Sequence, residues 1–178
     1  MVKKKGEKVD YAVVKDGVTS ILVECKKLNE KLDIHTDQLV RYFNVVEEAD
    51  FGILTNGIIY QFYSDLEKPN LMDKEPFLEI DITDIKDSQI AELRQFYKTE
   101  FNSKKIRSTA SRLKFENKLM SVFRGQLMNP SDDFVKSLAV KVYSGKTISS
   151  KLLGEFSEMT KKVISQYLTE LIVEKKYL

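Results

Sequence analysis

A chain of 178 residues, 42% hydrophobic and 31% charged, with a net charge of +2, has the composition of a soluble globular protein rather than a disordered or fibrous one, and is long enough for one domain or for one domain with a helical extension. One cysteine and one histidine exclude an intramolecular disulfide and a thiolate or imidazole zinc site, so any metal would be held mainly by oxygen ligands. The charge is uneven: residues 101–178 hold 15 Lys/Arg against 7 Asp/Glu and carry +8, leaving −6 on the first hundred. A basic half is compatible with a polyanionic partner. No apolar run approaches membrane-spanning length, and the opening MVKKKGEK lacks the apolar core of a signal peptide, which makes the cytoplasm the expected compartment and a membrane partner unexpected.

In chain order, the first eight residues are polar and basic and offer no helix. Residues 9–14 and 18–25 are dominated by Val, Ile, Leu and Tyr around Lys15-Asp16-Gly17, which predicts a β-hairpin whose strands are covered on both faces. A polar connection leads to a helix over 34–47, where Leu39, Tyr42, Phe43 and Val46 recur at helical spacing and place Gln38 and Tyr42 on one face. Asn56-Gly57 between two β-rich runs is a hairpin signal. Strand 18–26, helix 34–47 and strand 51–55 then form a βαβ unit with parallel strands. Residues 77–82 can add an edge strand. From about Asp87 the period is helical, with helices predicted at 88–100, 103–128, 131–144 and 149–176; Ser131 can cap one of them and Gly145 can end it. The expected architecture is α/β, a mixed sheet domain over 1–86 followed by an all-helical domain over 87–178. The final helix carries Leu152, Leu153, Phe156, Met159, Val163, Tyr167, Leu168 and Leu171 on one side, a stripe too wide for a strict heptad and better suited to packing on the preceding helices than to an intermolecular coiled coil.

The first hairpin carries charges that a buried strand does not ordinarily tolerate. Glu24 and Lys26 share one face of their strand while Cys25 points the other way. A two-residue Asp16-Gly17 loop pairs residues whose numbers sum to 33, placing Asp10 and Glu24 on opposite faces. A three-residue Lys15-Asp16-Gly17 loop changes the sum to 32 and leaves Asp10 diagonal to Glu24, roughly 7 Å away or less. Only an odd loop or a bulge therefore unites the two carboxylates. United, they can hold a hard cation, Mg2+ or Mn2+, helped by the Cys25 backbone carbonyl, water and a substrate phosphate. Lys26 can then orient water or stabilise charge on phosphorus oxygens, an arrangement suited to phosphodiester hydrolysis. D-x13-E-x-K alone is a common pattern, and an ion pair at a solvated strand end is the simpler explanation of it.

Asp10, Glu24-Cys25-Lys26 at a strand end, Gln38-Leu-Val-Arg-Tyr42 on the next helix and Leu54-Thr55-Asn56-Gly57 together resemble the N-terminal nuclease domain of type I restriction enzyme R subunits, of the PD-(D/E)xK superfamily. The resemblance covers about residues 8–64 and continues more loosely through segments such as Pro130–Val135. It implies a restriction-endonuclease-like fold, with Asp10 and Glu24 as metal ligands, Lys26 as the catalytic lysine and Gln38 with Tyr42 as the Q-x-x-x-Y pair beside the active site. It also implies Mg-dependent DNA cleavage and restriction-modification partner subunits. One departure is the helix that the family usually places before the first strand, which this chain does not show. A homo-oligomer is compatible with the sequence.

The remaining candidates carry less. His35 is expected to be exposed or to cap a helix, Cys25 to be a small buried apolar residue, and Tyr60, Phe62 and Tyr63 to pack on the sheet. The basic run Lys104, Lys105, Arg107, Arg112, Lys114, Lys118 and Arg124 wraps around more than one helix face, as compatible with a solvated surface as with a DNA-binding track. The expected function is a metal-dependent DNA endonuclease; the alternative is an inactive nuclease-like fold serving as a nucleic-acid-binding or assembly module.

Overall fold

The structure is a computed structural model that describes residues 8–145 and 147–174. The segment ahead of the first hairpin and the end expected for the last helix, 175–176, lie outside these residues. The first compact unit ends at Asn117 and the second begins at Lys118.

The first unit is built on a five-stranded mixed sheet in the order β1 (Tyr11–Lys15), β2 (Val18–Cys25), β3 (Phe51–Thr55), β4 (Ile59–Tyr63) and β5 (Leu78–Asp81). β2 and β3 run parallel, as the βαβ pattern requires, and the other neighbours run antiparallel. The crossover carries a short 3-10 turn, Leu32–Ile34, and α1 (Thr36–Phe43). This helix is shorter than the predicted 34–47, and its end is closed by Asn44 and Val46 amides donating to the Val40 and Tyr42 carbonyls.

Alternation along β2 to β4 sends side chains to two cores. Leu22, Leu54 and Tyr63 meet Leu39 and Phe43 of α1 on one face. Ile21, Phe51, Phe62, Leu78 and Ile80 form the other, together with Ile106 and Ala110. The second face is covered by α2 (Asp87–Arg94) and the first part of α3 (Ser103–Met128). Phe51 there meets the rings of Phe77, Phe96 and Phe101 edge-on at 5.6 to 6.3 Å. The helical period that starts near Asp87 thus supplies part of the sheet's own core.

β1 departs from expectation. Its five residues are all exposed, because β1 is the sheet edge and both cores are centred on β2 to β4; only β2 is the buried strand. The second hairpin also differs in detail. Asn56 pairs with Ile59, so the two central turn residues are Gly57 and Ile58 rather than Asn56 and Gly57. Gly57 has φ +89, a left-handed conformation that a side chain would strain.

Ion pairs tie α3 to the loop after β4. Arg107 pairs with Asp65, and Lys114 with Asp73 at 2.8 Å and Glu67 at 2.9 Å. The second unit holds the end of α3, α4 (Asp132–Val142) and α5 (Ser150–Glu174). Ser131 caps α4 by accepting from the Phe134 amide, as its sequence position predicts. Gly145 does not end that helix, which stops at Val142 with Tyr143 extended. No helix of the described residues is long and apolar enough to cross a membrane.

Asp73 is buried and keeps amide donors from Leu66 and Glu67, so removing its cation leaves a partly compensated charge. Lys114→Met is expected to destabilise the chain by about 2 kcal/mol in urea unfolding; unchanged stability would show that the pair is a surface contact of no consequence.

Candidate active site

The position of Asp10 is decided by a bulge. The hairpin tip is the two-residue turn Asp16-Gly17, with φ +53 and +82. Lys15 pairs with Val18 and Val14 with Thr19, but Val13 pairs with Ile21, so Ser20 is an extra residue on β2. Its carbonyl is not wasted, since it accepts from the Asp50 amide at 3.1 Å. Beyond the bulge the register continues as Ala12 with Leu22 and Tyr11 with Val23, which carries Asp10 to a place directly opposite Glu24. Neither simple loop produces this pairing; the register set by the bulge puts Asp10 and Glu24 on one face of the strand pair.

Asp10 Oδ2 accepts from the Cys25 backbone amide at 2.8 Å. Glu24, 2% exposed, accepts from Lys26 Nζ at 2.7 Å through Oε1, while its Oε2 is buried without a hydrogen bond. Lys26 Nζ also donates to Gln38 Oε1 at 3.2 Å, and its backbone amide donates to the Thr55 carbonyl at 2.7 Å. Asp10, Glu24, Lys26 and Gln38 are therefore linked around one strand end. Tyr42, one turn after Gln38, packs on the α1-side core with its hydroxyl buried.

Cys25 is exposed, contrary to the buried apolar role expected of it, because the neighbouring β1 ends in the open. Partial burial, followed by the Asp10 and Glu24 charges, pushes its thiol up against the opposing effect of Lys26; that is the reverse of an activated thiolate. His35 lies outside this group and pairs with Glu30 at 3.1 Å.

Two features escaped the sequence. Asn56 accepts from the Ile58 and Ile59 amides through Oδ1 and donates through Nδ2 to the Leu28 and Glu30 carbonyls, so it fastens the connection that leaves Lys26. A row that is polar except at Leu54 also crosses the sheet beside the site: Glu24, Leu54, Gln61 and Glu79 stand in register. Gln61 donates to Glu79 at 2.7 Å and accepts from Tyr63 at 2.9 Å. The signal for it was a glutamine inside the apolar run IIYQFY. Tyr60 and Phe62 pack on the opposite face.

Three of the seven residues in the basic run are held in ion pairs. Arg107 and Lys114 are the ion-paired anchors of α3, and Arg112 pairs with Glu92 and Glu116 at 2.9 and 2.6 Å. Lys104 and Lys105 make no side-chain pair with any described residue, while Lys118 and Arg124 belong to the second unit.

Burial, then the Asp33 and Glu79 charges, holds the Tyr63 phenol well above its ordinary range. The folded state keeps the proton that the unfolded chain releases near pH ~10, so this contribution is intact at lower pH and is lost as pH rises past that value. Tyr63→Phe is expected to cost about 1 kcal/mol at neutral pH through the Gln61 bond. Its stability should also fall less steeply than wild type between about pH 9 and pH 11. Identical alkaline slopes in urea unfolding would contradict this.

Residues 1–76 match the family described as the type I restriction enzyme R protein N terminus. The match covers 76 of the 178 residues. No curated protein and no solved structure matches the chain.

Proposed function

We propose, from a first segment similar to the type I restriction enzyme R protein N terminus, that this chain is a metal-dependent DNA endonuclease domain of the PD-(D/E)xK type. The observation that carries the reading is the buried Glu24 carboxylate, one oxygen held by Lys26 and the other without a hydrogen bond, opposite Asp10. An unsatisfied buried carboxylate oxygen costs about 1–3 kcal/mol or more; a cation there offsets that cost.

The donor set fits a hard ion. Glu24 Oε2 and Asp10 would hold Mg2+ or Mn2+, with the Cys25 carbonyl, water and a substrate phosphate completing the oxygen shell. Among the described residues no group of three or more His, Cys, Asp or Glu converges on one point, so the substrate and solvent would have to supply several ligands. The bound ion supplies a polarised phosphate and a more acidic water.

The chain's own residues do the rest. Glu24 Oε1 and Gln38 Oε1 take two of the three Lys26 protons, fixing the ammonium and leaving its remaining proton for a non-bridging phosphate oxygen that gains charge at the transition state. Asp10 is held by the Cys25 amide before any ligand arrives. Tyr42 supports α1 and with it Gln38. Lys104 and Lys105 are the cations of the first unit offered to a DNA backbone, and restriction-modification subunits are the partners implied.

In a plasmid-nicking assay with Mg2+, Lys26→Ala is expected to lower the cleavage rate about 10²- to 10³-fold, the cost of one transition-state donor. Gln38→Ala should cause a smaller loss. Equal cleavage by wild type and Lys26→Ala would sink the mechanism. No cleavage by wild type, with salt-sensitive DNA binding intact, would replace it with a nucleic-acid-binding module.

A further inference from the structure

We infer that the helical unit pairs with a second copy of this chain through α5, the two helices running antiparallel about a two-fold axis. The unit is short of core: among its described residues the buried apolar side chains are Pro130, Val135 and Ala139. A unit of this size with so little buried apolar surface is marginal alone.

The shortage has a geometric cause. α4 has 11 residues and α5 has 25, about 16 and 37 Å of helix. Leu152, Leu153 and Phe156 on the first half of α5 are half-buried, with Phe156 against Tyr143 at 6.0 Å between ring centroids. The same face then continues as Met159, Val163, Tyr167 and Leu171, which are exposed by 39 to 62%. The sequence expectation that this stripe packs on the preceding helices thus holds for its first half alone.

Area and charge together favour a second copy. With Leu168 and Ile172, the uncovered stripe presents on the order of 600 Å2 per chain, so a pair buries on the order of 1,200 Å2, the threshold of a stable interface. Its four residues are evenly spaced by four, so two copies running antiparallel about residue 165 set Met159 against Leu171 and Val163 against Tyr167. Lys162, Gln166 and Glu170 line one flank at the same spacing, and in this arrangement that flank meets its own copy. Lys162 then lies beside Glu170 of the other chain. A parallel pair would instead set this flank against the opposite one, Thr160, Ile164, Leu168 and Ile172, and leave Lys162 facing apolar side chains rather than Glu170. Lys162 forms no ion pair with any described residue, whereas Glu170 accepts from Gln166 at 3.0 Å, on the same flank.

Sedimentation equilibrium on the full chain, with helix content followed by circular dichroism, tests the pairing. Wild type is expected at twice the 20.6 kDa chain mass. Lys162→Glu and Glu170→Lys should each weaken the dimer about tenfold, and the double variant should return to within about threefold of wild type. Val163→Glu should be monomeric with its helices retained. A wild-type monomer at about 100 μM, far above an ordinary homodimer's dissociation constant, would mean that another surface or another partner covers the stripe, and would overturn the proposal. So would a double variant no tighter than the single ones.

Discussion

The place of Asp10 in the candidate site depends on one extra residue. Ser20 occupies β2 where β1 has no counterpart, and side chains alternate with a period of two, so a single insertion moves all that follows to the other face. Without it, a hairpin closed by Asp16-Gly17 would point Asp10 away from Glu24. The bulge is secured because the Ser20 carbonyl accepts the Asp50 amide at the place where β3 begins, so the βαβ crossover and the bulge support each other. The edge position of β1 leaves Asp10 open to solvent and substrate while Glu24 stays buried one strand further in.

That burial sets the electrostatic problem the site must solve. A carboxylate removed from water is costly unless paired and hydrogen-bonded, and Lys26 satisfies half of it. Gln38 reaches the same ammonium from α1, and Asn56 secures the loop between them by bonding the Leu28 and Glu30 carbonyls. The β3–β4 turn is thereby coupled to the geometry of Lys26. The ion pairs from Arg107 and Lys114 do a different job, holding α3 to the loop after β4.

Strong local patterns were legible in the sequence: the two hairpins, the parallel βαβ unit, the helices and the Ser131 cap all follow from periodicity and turn chemistry. The shared face of Glu24 and Lys26 followed from strand alternation, while Gln38 beside them was implied only by the family resemblance. The route by which Asp10 joins them was not legible, because a bulge depends on cross-strand pairing and leaves no mark in composition. Edge status hid the exposure of β1 and Cys25 for the same reason, since a run of valines reads alike at the centre and at the rim of a sheet. Gln61 and its partners depend on contacts between residues distant in sequence. The matched family segment, 1–76, ends just before β5, so the helices that complete the second core have only their own periodicity to identify them.

Calorimetric titration of the chain with Mn2+ in the absence of DNA tests directly whether Asp10 and Glu24 share an ion. A single site per chain is expected, weakened at least about tenfold by Glu24→Gln and by Asp10→Asn, each of which removes a charged ligand. Equal Mn2+ affinity in wild type and both variants, or no binding by wild type, would contradict it.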